Sequence, residues 1–232
     1  MRHAIVSRDE CIDQRRALLP DEKKFTKLRA ELSQRQRALP WVKVEKTYVF
    51  DPPQGKETLA DLLGCCRQLF VKHFMMEPGQ TQQCVGCSLE VDHVEGLLEH
   101  LENSDVASGV VAPAPPDEIE AARERMEWRC NWVSSCGSDF NYGFKVSFVA
   151  NDMAAGSAFY SFRHVSLTME DLSGRSIFFK DEAGQIFHAY SSFRRGGKEF
   201  LTIYRFFDLM PKGRNENGPH HTPADWARPR NM

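Results

Sequence analysis

The sequence predicts an α/β protein with a central mixed β-sheet flanked by helices and an N-terminal helical extension. Three patterns carry that expectation. Apolar runs of strand length (residues 68–76, 106–112 and 132–135) alternate with segments of helical periodicity (89–101 and 117–128), as a partly parallel sheet requires. Ile177-Phe178-Phe179-Lys180 and residues 185–190 flank Asp181-Glu182-Ala183-Gly184, the signature of a hairpin with a glycine-containing turn. Residues 8–39 are dense in charge and sparse in apolar residues, which marks a solvated helical arm.

Taken in order, the arm covers residues 1–40. Pro20 followed by Asp21 predicts one helix ending and another beginning, with Phe25, Leu28 and Leu32 as a narrow apolar stripe. Such a stripe packs on a body or a partner, and a homodimer through residues 8–39 is one expectation. Residues 41–210 form the main domain. Its first segment, 41–50, alternates as an edge strand does. The turn Asp51-Pro52-Pro53-Gln54-Gly55 follows, then a short helical turn over 58–63 that Gly64 stops. Residues 68–76 are apolar on both faces, as in the middle of a covered sheet. After the irregular stretch 150–173 come the hairpin and a last helix over 200–209. Residues 211–232, rich in Pro, Gly, Asn and charge, read as a loose tail.

The 232 residues are 41% hydrophobic and 27% charged, the balance of an ordinary globular protein, with 16 Phe for the core. A net charge of −2 gives no reason to expect a nucleic-acid or anionic-membrane partner. Residues 1–19 mix Arg8, Asp9, Glu10, Arg15 and Arg16 with apolar residues, so no export signal is expected, and no run reaches membrane-span length. The cytoplasm, where thiols stay reduced, is the expected compartment. No Gly-x-Ser-x-Gly elbow, phosphate loop or His-Glu-x-x-His zinc motif is present.

Seven cysteines stand at 11, 65, 66, 84, 87, 130 and 136. The odd number argues against a structural disulfide framework. Cys84-Val85-Gly86-Cys87 sits where a strand and loop become a helix. Two cysteines three apart there share a helix face, within bridging distance of each other. The free N–H groups and positive dipole end stabilise a thiolate. Cys84, at the exposed end, is the expected nucleophile toward a disulfide or peroxide substrate, and Cys87 the resolving thiol; a thiol donor would restore the pair, and no cofactor is required. The competing reading is structural zinc, which needs two further ligands, Cys130 and Cys136 being the candidates at an unfavourable spacing. Two inert thiols are the remaining alternative. Cys65 and Cys66 are expected to be unpaired, since neighbours bridge only with strain.

The chain also resembles a known family. Leu39-Pro40-Trp41-Val42-Lys43-Val44-Glu45-Lys46, Leu59-Ala60-Asp61-Leu62, His73-Phe74-Met75, Gly86-Cys87-Ser88, Trp132-Val133-Ser134-Ser135, Gly137-Ser138-Asp139-Phe140-Asn141, Phe187-His188, Tyr190-Ser191, Asp208-Leu209 and Pro211-Lys212-Gly213-Arg214 match it. That family is the thioredoxin-like proteins catalogued as domain of unknown function 899, often labelled predicted dithiol–disulfide oxidoreductases. The resemblance runs from about Val6 to Glu216 and implies a thioredoxin-like fold. The activity label in the family rests largely on fold and cysteine pair. Gln83 and Val85 stand where the family usually has Gly and Pro, Lys72 where it has Tyr, and Cys130 and Cys136 where it has an aromatic and a His.

Other candidates have two readings each. His73 is a proton shuttle to Cys87 or, as favoured, a hydrogen-bonded core residue. Lys72 should face away from His73 and is read as a snorkelling strand-end cation. Asp139 and Asn141 line the site or cap a turn; Tyr190 and Ser191 line a pocket or pack the sheet. Gly174-Arg175-Ser176, read as the segment before the hairpin strand, has no proline where thioredoxins place a cis-Pro. Arg175 and Thr81-Gln82-Gln83-Cys84 resemble the Arg and Thr-x-x-Cys of peroxiredoxins, so a thiol peroxidase is an alternative function. A non-enzymatic scaffold with a structural or zinc-binding pair is the third. His220 and His221 are expected to do nothing chemical.

Overall fold

The computed structural model describes residues 3–52, 55–154, 156–214, 216–219 and 221–228. Pro53 and Gln54 of the early turn, and His220, lie outside them. The chain divides into two compact units, Met1–Pro40 and Trp41–Met232.

The first unit, taken by itself, is one helix, α1 (Arg8–Arg37), opened by a reciprocal capping box between Ser7 and Glu10. The break expected at Pro20 does not occur. Proline removes one backbone donor, but the flanking Leu, Ala, Glu, Lys and Arg are strong helix formers, and Arg15 pairs with Glu22 across it at 2.7 Å. Phe25, Leu28 and Leu32 are exposed.

The second unit runs β1 (Val42–Lys43), β2 (Val49–Phe50), β3 (Glu57–Thr58), α2 (Leu59–Leu63), β4 (Gln68–His73), α3 (Val85–Glu95), α4 (Leu98–Glu102), β5 (Val106–Ala112), α5 (Pro116–Met126), β6 (Asn131–Ser134), α6 (Phe140–Gly143), α7 (Ala150–Ala154), β7 (Ala158–Tyr160), β8 (Arg163–Val165), β9 (Gly174–Lys180), β10 (Ile186–Phe193) and α8 (Ile203–Leu209). Among the described residues six strands form the main sheet, in the order β1-β10-β9-β4-β5-β6. β4, β5 and β6 are parallel; β9 is antiparallel to β4 and β10 to β9. The β4-α3-β5 crossover followed by the β9-β10 hairpin and α8 gives the inner order β5-β4-β9-β10, a thioredoxin-like core with β6 and β1 added at its edges.

Period-two alternation sorts the strands onto two faces. Phe74, Val110, Ala112 and Trp132 pack on Cys87 and Val91 of α3 and on Ile119, Ala122 and Met126 of α5. Leu69, Val71, Val111, Val133 and Phe178 pack on Leu59, Leu62 and Leu63 of α2 and on Phe50 and Phe140. The single edge strand expected over 41–50 is instead two short pieces in different sheets: β1 pairs with β10, and β2 with β3. β9 begins at Gly174, three residues earlier than the apolar run implied. The Gly174–Ser176 backbone already pairs with β4, although its side chains are small or charged.

Among the described residues of the segment after α8, expected as a loose tail, several are anchored. Ala227 is buried, Trp226 stacks edge-on to Tyr204 and Phe207, and both belong to a cluster with Leu89 and Val85 of α3. Glu216 takes Lys198 at 2.7 Å and the Tyr204 hydroxyl. Apolar anchors at two positions outweigh a composition rich in Pro and Gly.

His73 and Phe140 stack on the α2 face of the sheet. His73 Nδ1 lies 2.9 Å from Asn141 Oδ1, and Nε2 lies 2.9 Å from Ser176 Oγ. A carbonyl oxygen only accepts, so Nδ1 carries the proton and Nε2 accepts from Ser176. Burial pushes the imidazole pKa down to about 3, so the ring is neutral in the fold. The unfolded chain protonates His73 near pH ~6.5, the folded chain only near pH 3. Stability from this group is therefore intact above pH ~6.5 and falls by about 1.4 kcal/mol per pH unit below it. Urea unfolding of wild type and His73→Gln at pH 7 and pH 5 should give the wild type the steeper decline; parallel declines would contradict it.

Candidate functional site

β4 leaves the sheet at His73, and the chain turns through Glu77–Gln80 before α3 starts. Cys84 is the N-cap of α3: its Sγ accepts the Cys87 N–H at 3.4 Å, the place a Ser or Asp oxygen usually fills. Cys84 is half-buried, while Cys87, one turn in, is 2% exposed and belongs to the core on that face. Both are free thiols, as are the other five cysteines.

The two residues that flank Cys84 explain their own presence. Gln83 is buried and accepts a hydrogen bond from Arg125, tying the loop to α5. Val85 packs into the cluster of Leu89, Leu201, Tyr204 and Ala227, tying the first turn of α3 to α8 and the C-terminal segment. Side-chain contacts thus hold the loop where a Gly and a Pro would have done so through backbone preference.

Behind the pair lies a charged cluster that the sequence reading missed. Lys72 is 1% exposed and reaches Glu90 of α3, which is fully buried, at 2.9 Å. Its Nζ also donates to Ser173 Oγ at 2.6 Å. Arg175, opposite Lys72 on β9, grips the same carboxylate with Nε at 2.6 Å and with Nη2. Its Nη1 is buried without an acceptor, and Gly197 lies so close to the guanidinium that no Cβ would fit there. Burial alone would push the Glu90 carboxyl up, but Lys72 and Arg175 outweigh it and hold it below the usual range. Lys72 is therefore no snorkelling cation: α3 covers the strand at that point and leaves its ammonium no path to water. The clue was legible. A lysine inside Leu69-Phe70-Val71-Lys72-His73-Phe74 needs a buried carboxylate, and Glu90 shares the inner stripe of α3 with Cys87, Val91 and Val94.

The hydrogen bond between the two thiols pushes Cys84 up and Cys87 down. The Lys72 ammonium lowers both, and the Met75 N–H favours a thiolate on Cys87. The pair thus loses its first proton readily and holds its second, the behaviour of two sulfurs sharing one proton.

The remaining candidates are dispersed. His73 faces the α2 side of β4, with the sheet between it and Cys87, so it is a core histidine and no shuttle to that thiol. Ser191 joins the same side through His188 Nε2 at 2.8 Å, and Tyr190 follows the bulge in β10. Asp139 pairs with Lys46. With Asn141, Cys136, Glu77, Glu170 and Asp171 it lines a cleft of about 590 Å³ at the carboxyl ends of the parallel strands; Cys84 is not among the lining residues. Thr81 is exposed and lines a smaller cleft with Gln83 and Arg125. No peptide bond is cis among the described residues, and the chain enters β9 through Leu172 and Ser173, whose carbonyl accepts the Tyr160 hydroxyl at 2.7 Å. Cys130 is buried under α5. No group of three or more His, Cys, Asp or Glu that could hold a metal occurs among the described residues, and no described helix is long and apolar enough to cross a membrane. His221 is exposed beside the Glu216 carbonyl.

Among solved structures the chain is similar to peroxiredoxin Q of Xanthomonas campestris, at 12% identity over 72% of this chain and 96% of that one, with a TM-score of 0.47. It is similar to a thiol:disulfide interchange protein from Bacteroides sp., at 15% identity over 77% and 97% with a TM-score of 0.39. Peroxidoxin BcpB of Mycobacterium tuberculosis gives 13% identity over 71% and 97%, with a TM-score of 0.42. Likeness at this level assigns no activity. No curated protein matches. The family described as "Bacterial protein of unknown function (DUF899)" matches residues 1–231, and the chain belongs to that family.

Proposed function

We propose that the protein is a thiol–disulfide oxidoreductase working through Cys84 and Cys87. The observation that carries this is the pair itself: a reachable sulfur that caps α3 by accepting the Cys87 N–H, a buried sulfur one turn in and a buried cationic cluster behind. Thiolate charge favours the inner sulfur, but only the outer one meets a substrate. Cys84 therefore attacks after its proton passes to Cys87. Its Sγ bonds to one sulfur of a disulfide, and the other leaves as a thiolate. Cys87 gives its proton to the departed thiolate, then attacks Cys84 Sγ and displaces the second sulfur. The substrate gains two electrons, the pair loses two, and a thiol donor reverses the exchange. The donor and the substrate are the partners this reading requires.

Alkylation mass spectrometry before and after mild oxidation should show a Cys84–Cys87 bridge, two mass units lighter than the dithiol. Persistence of both free thiols would sink the reading. Cys87→Ser should trap a mixed disulfide on Cys84, whereas Cys84→Ser should lower exchange by roughly a hundredfold or more, because the buried sulfur cannot reach a substrate.

A second reading, thiol peroxidase, has one observation in its favour: the unpartnered Nη1 of Arg175, on the cysteine side of β9, is a donor for a peroxide oxygen. Against it, the other guanidinium nitrogens are held by Glu90. Peroxide consumption that disappears in Cys84→Ser would support it, and no turnover with hydrogen peroxide or an alkyl hydroperoxide removes it.

A further inference from the structure

Two cations and one carboxylate are sealed together behind the cysteine pair. Lys72 and Arg175 both contact Glu90, and the three are at most 6% exposed. The cluster therefore carries one uncompensated positive charge, and Arg175 Nη1 has no acceptor. Isolated buried charge is costly unless an anion stands nearby. The ionisable groups facing Cys87 are Lys72 from β4, Glu90 from α3, Arg175 from β9 and Tyr160 from β7. Burial holds the Tyr160 phenol protonated, with its hydroxyl donating to Ser173 O. Among the described residues only the sulfur pair is left to supply the balancing negative charge.

We infer that Lys72 is a positioning residue that serves as counter-charge to the Cys84–Cys87 thiolate, and that it biases the pair toward oxidising other thiols. The inference rests on the dithiol reading above and adds its direction. When the thiol–thiolate pair becomes a disulfide, two electrons and one proton leave, an S–S bond forms, and the negative charge disappears. The disulfide then faces a buried cluster with a net charge of +1, while the reduced pair faces it balanced. Against glutathione the exchange is disulfide plus two glutathione thiols going to the thiol–thiolate pair, glutathione disulfide and one proton. The buried charge pulls that equilibrium toward the reduced pair, which makes the disulfide a strong electron acceptor.

The test is equilibration of the full chain with glutathione buffers, reading the oxidised fraction by alkylation, together with thiolate ultraviolet absorbance against pH. Lys72→Met leaves Glu90 and Arg175 balanced. It should favour the disulfide by roughly tenfold or more and move thiolate formation to higher pH. Glu90→Gln raises the cluster to +2 and should shift both readouts the opposite way. The double variant restores +1 and should return to within about threefold of wild type on both readouts. Lost packing alone would not move the two single variants in opposite directions. If Glu90→Gln does not fold, Lys72→Met against the double variant still decides. A wild-type bridge with the same equilibrium and titration in Lys72→Met overturns the inference and leaves the dithiol reading standing; absence of any wild-type bridge overturns that reading itself.

Discussion

Glu90 is held by a lysine from one strand and an arginine from the next, with all three buried. The two cations tolerate burial together only while Glu90 stays between them, because removing a buried partner that leaves charge uncompensated costs about 3–5 kcal/mol. The cluster therefore fixes α3 against β4 and β9 more sharply than apolar contacts, which tolerate sliding. Cys87 lies one turn upstream of Glu90 and Cys84 one turn further, so clamping the helix also places both sulfurs. Gly197 gives way to the guanidinium, and Ser173 supplies the acceptor that completes the lysine.

Much of the fold follows from patterns the chain displays openly. The apolar runs at residues 68–76 and 106–112, the Asp181–Gly184 turn and the Gly64 stop after residues 58–63 each identify their element through local physics. The misreadings also have local causes. Pro20 signals a break, but a long run of strong helix formers carries the backbone past it. Residues 41–50 alternate as one strand does, yet β1 and β2 find different neighbours. Trp226 and Ala227 hold a segment whose composition looks unanchored.

The site divides in the same way. The spacing of Cys84 and Cys87, and their position before an apolar helix, are one-dimensional features. Lys72, Glu90 and Arg175 are separated by 18 and 85 residues, and only tertiary packing joins them. Alternation along β4 already sets Lys72 and His73 on opposite faces. It does not say which face α3 will cover, and that decides whether the lysine or the histidine stands behind the sulfurs.

β4 thus partitions the molecule into two chemical compartments a single strand apart. On one side a neutral, aromatic-walled chain of His73, Asn141, Ser176, Ser191 and His188 satisfies itself by hydrogen bonds. On the other, ions and sulfur balance one another's charge. The hydrogen-bond ladder with β5 and β9 keeps the two apart. A slip of one residue would bring the ammonium under the Phe140 ring and the imidazole against Glu90, exchanging both compartments at once. Strand register here governs which side of the sheet carries charge, and the sulfur pair meets the cationic cluster only in the native alignment.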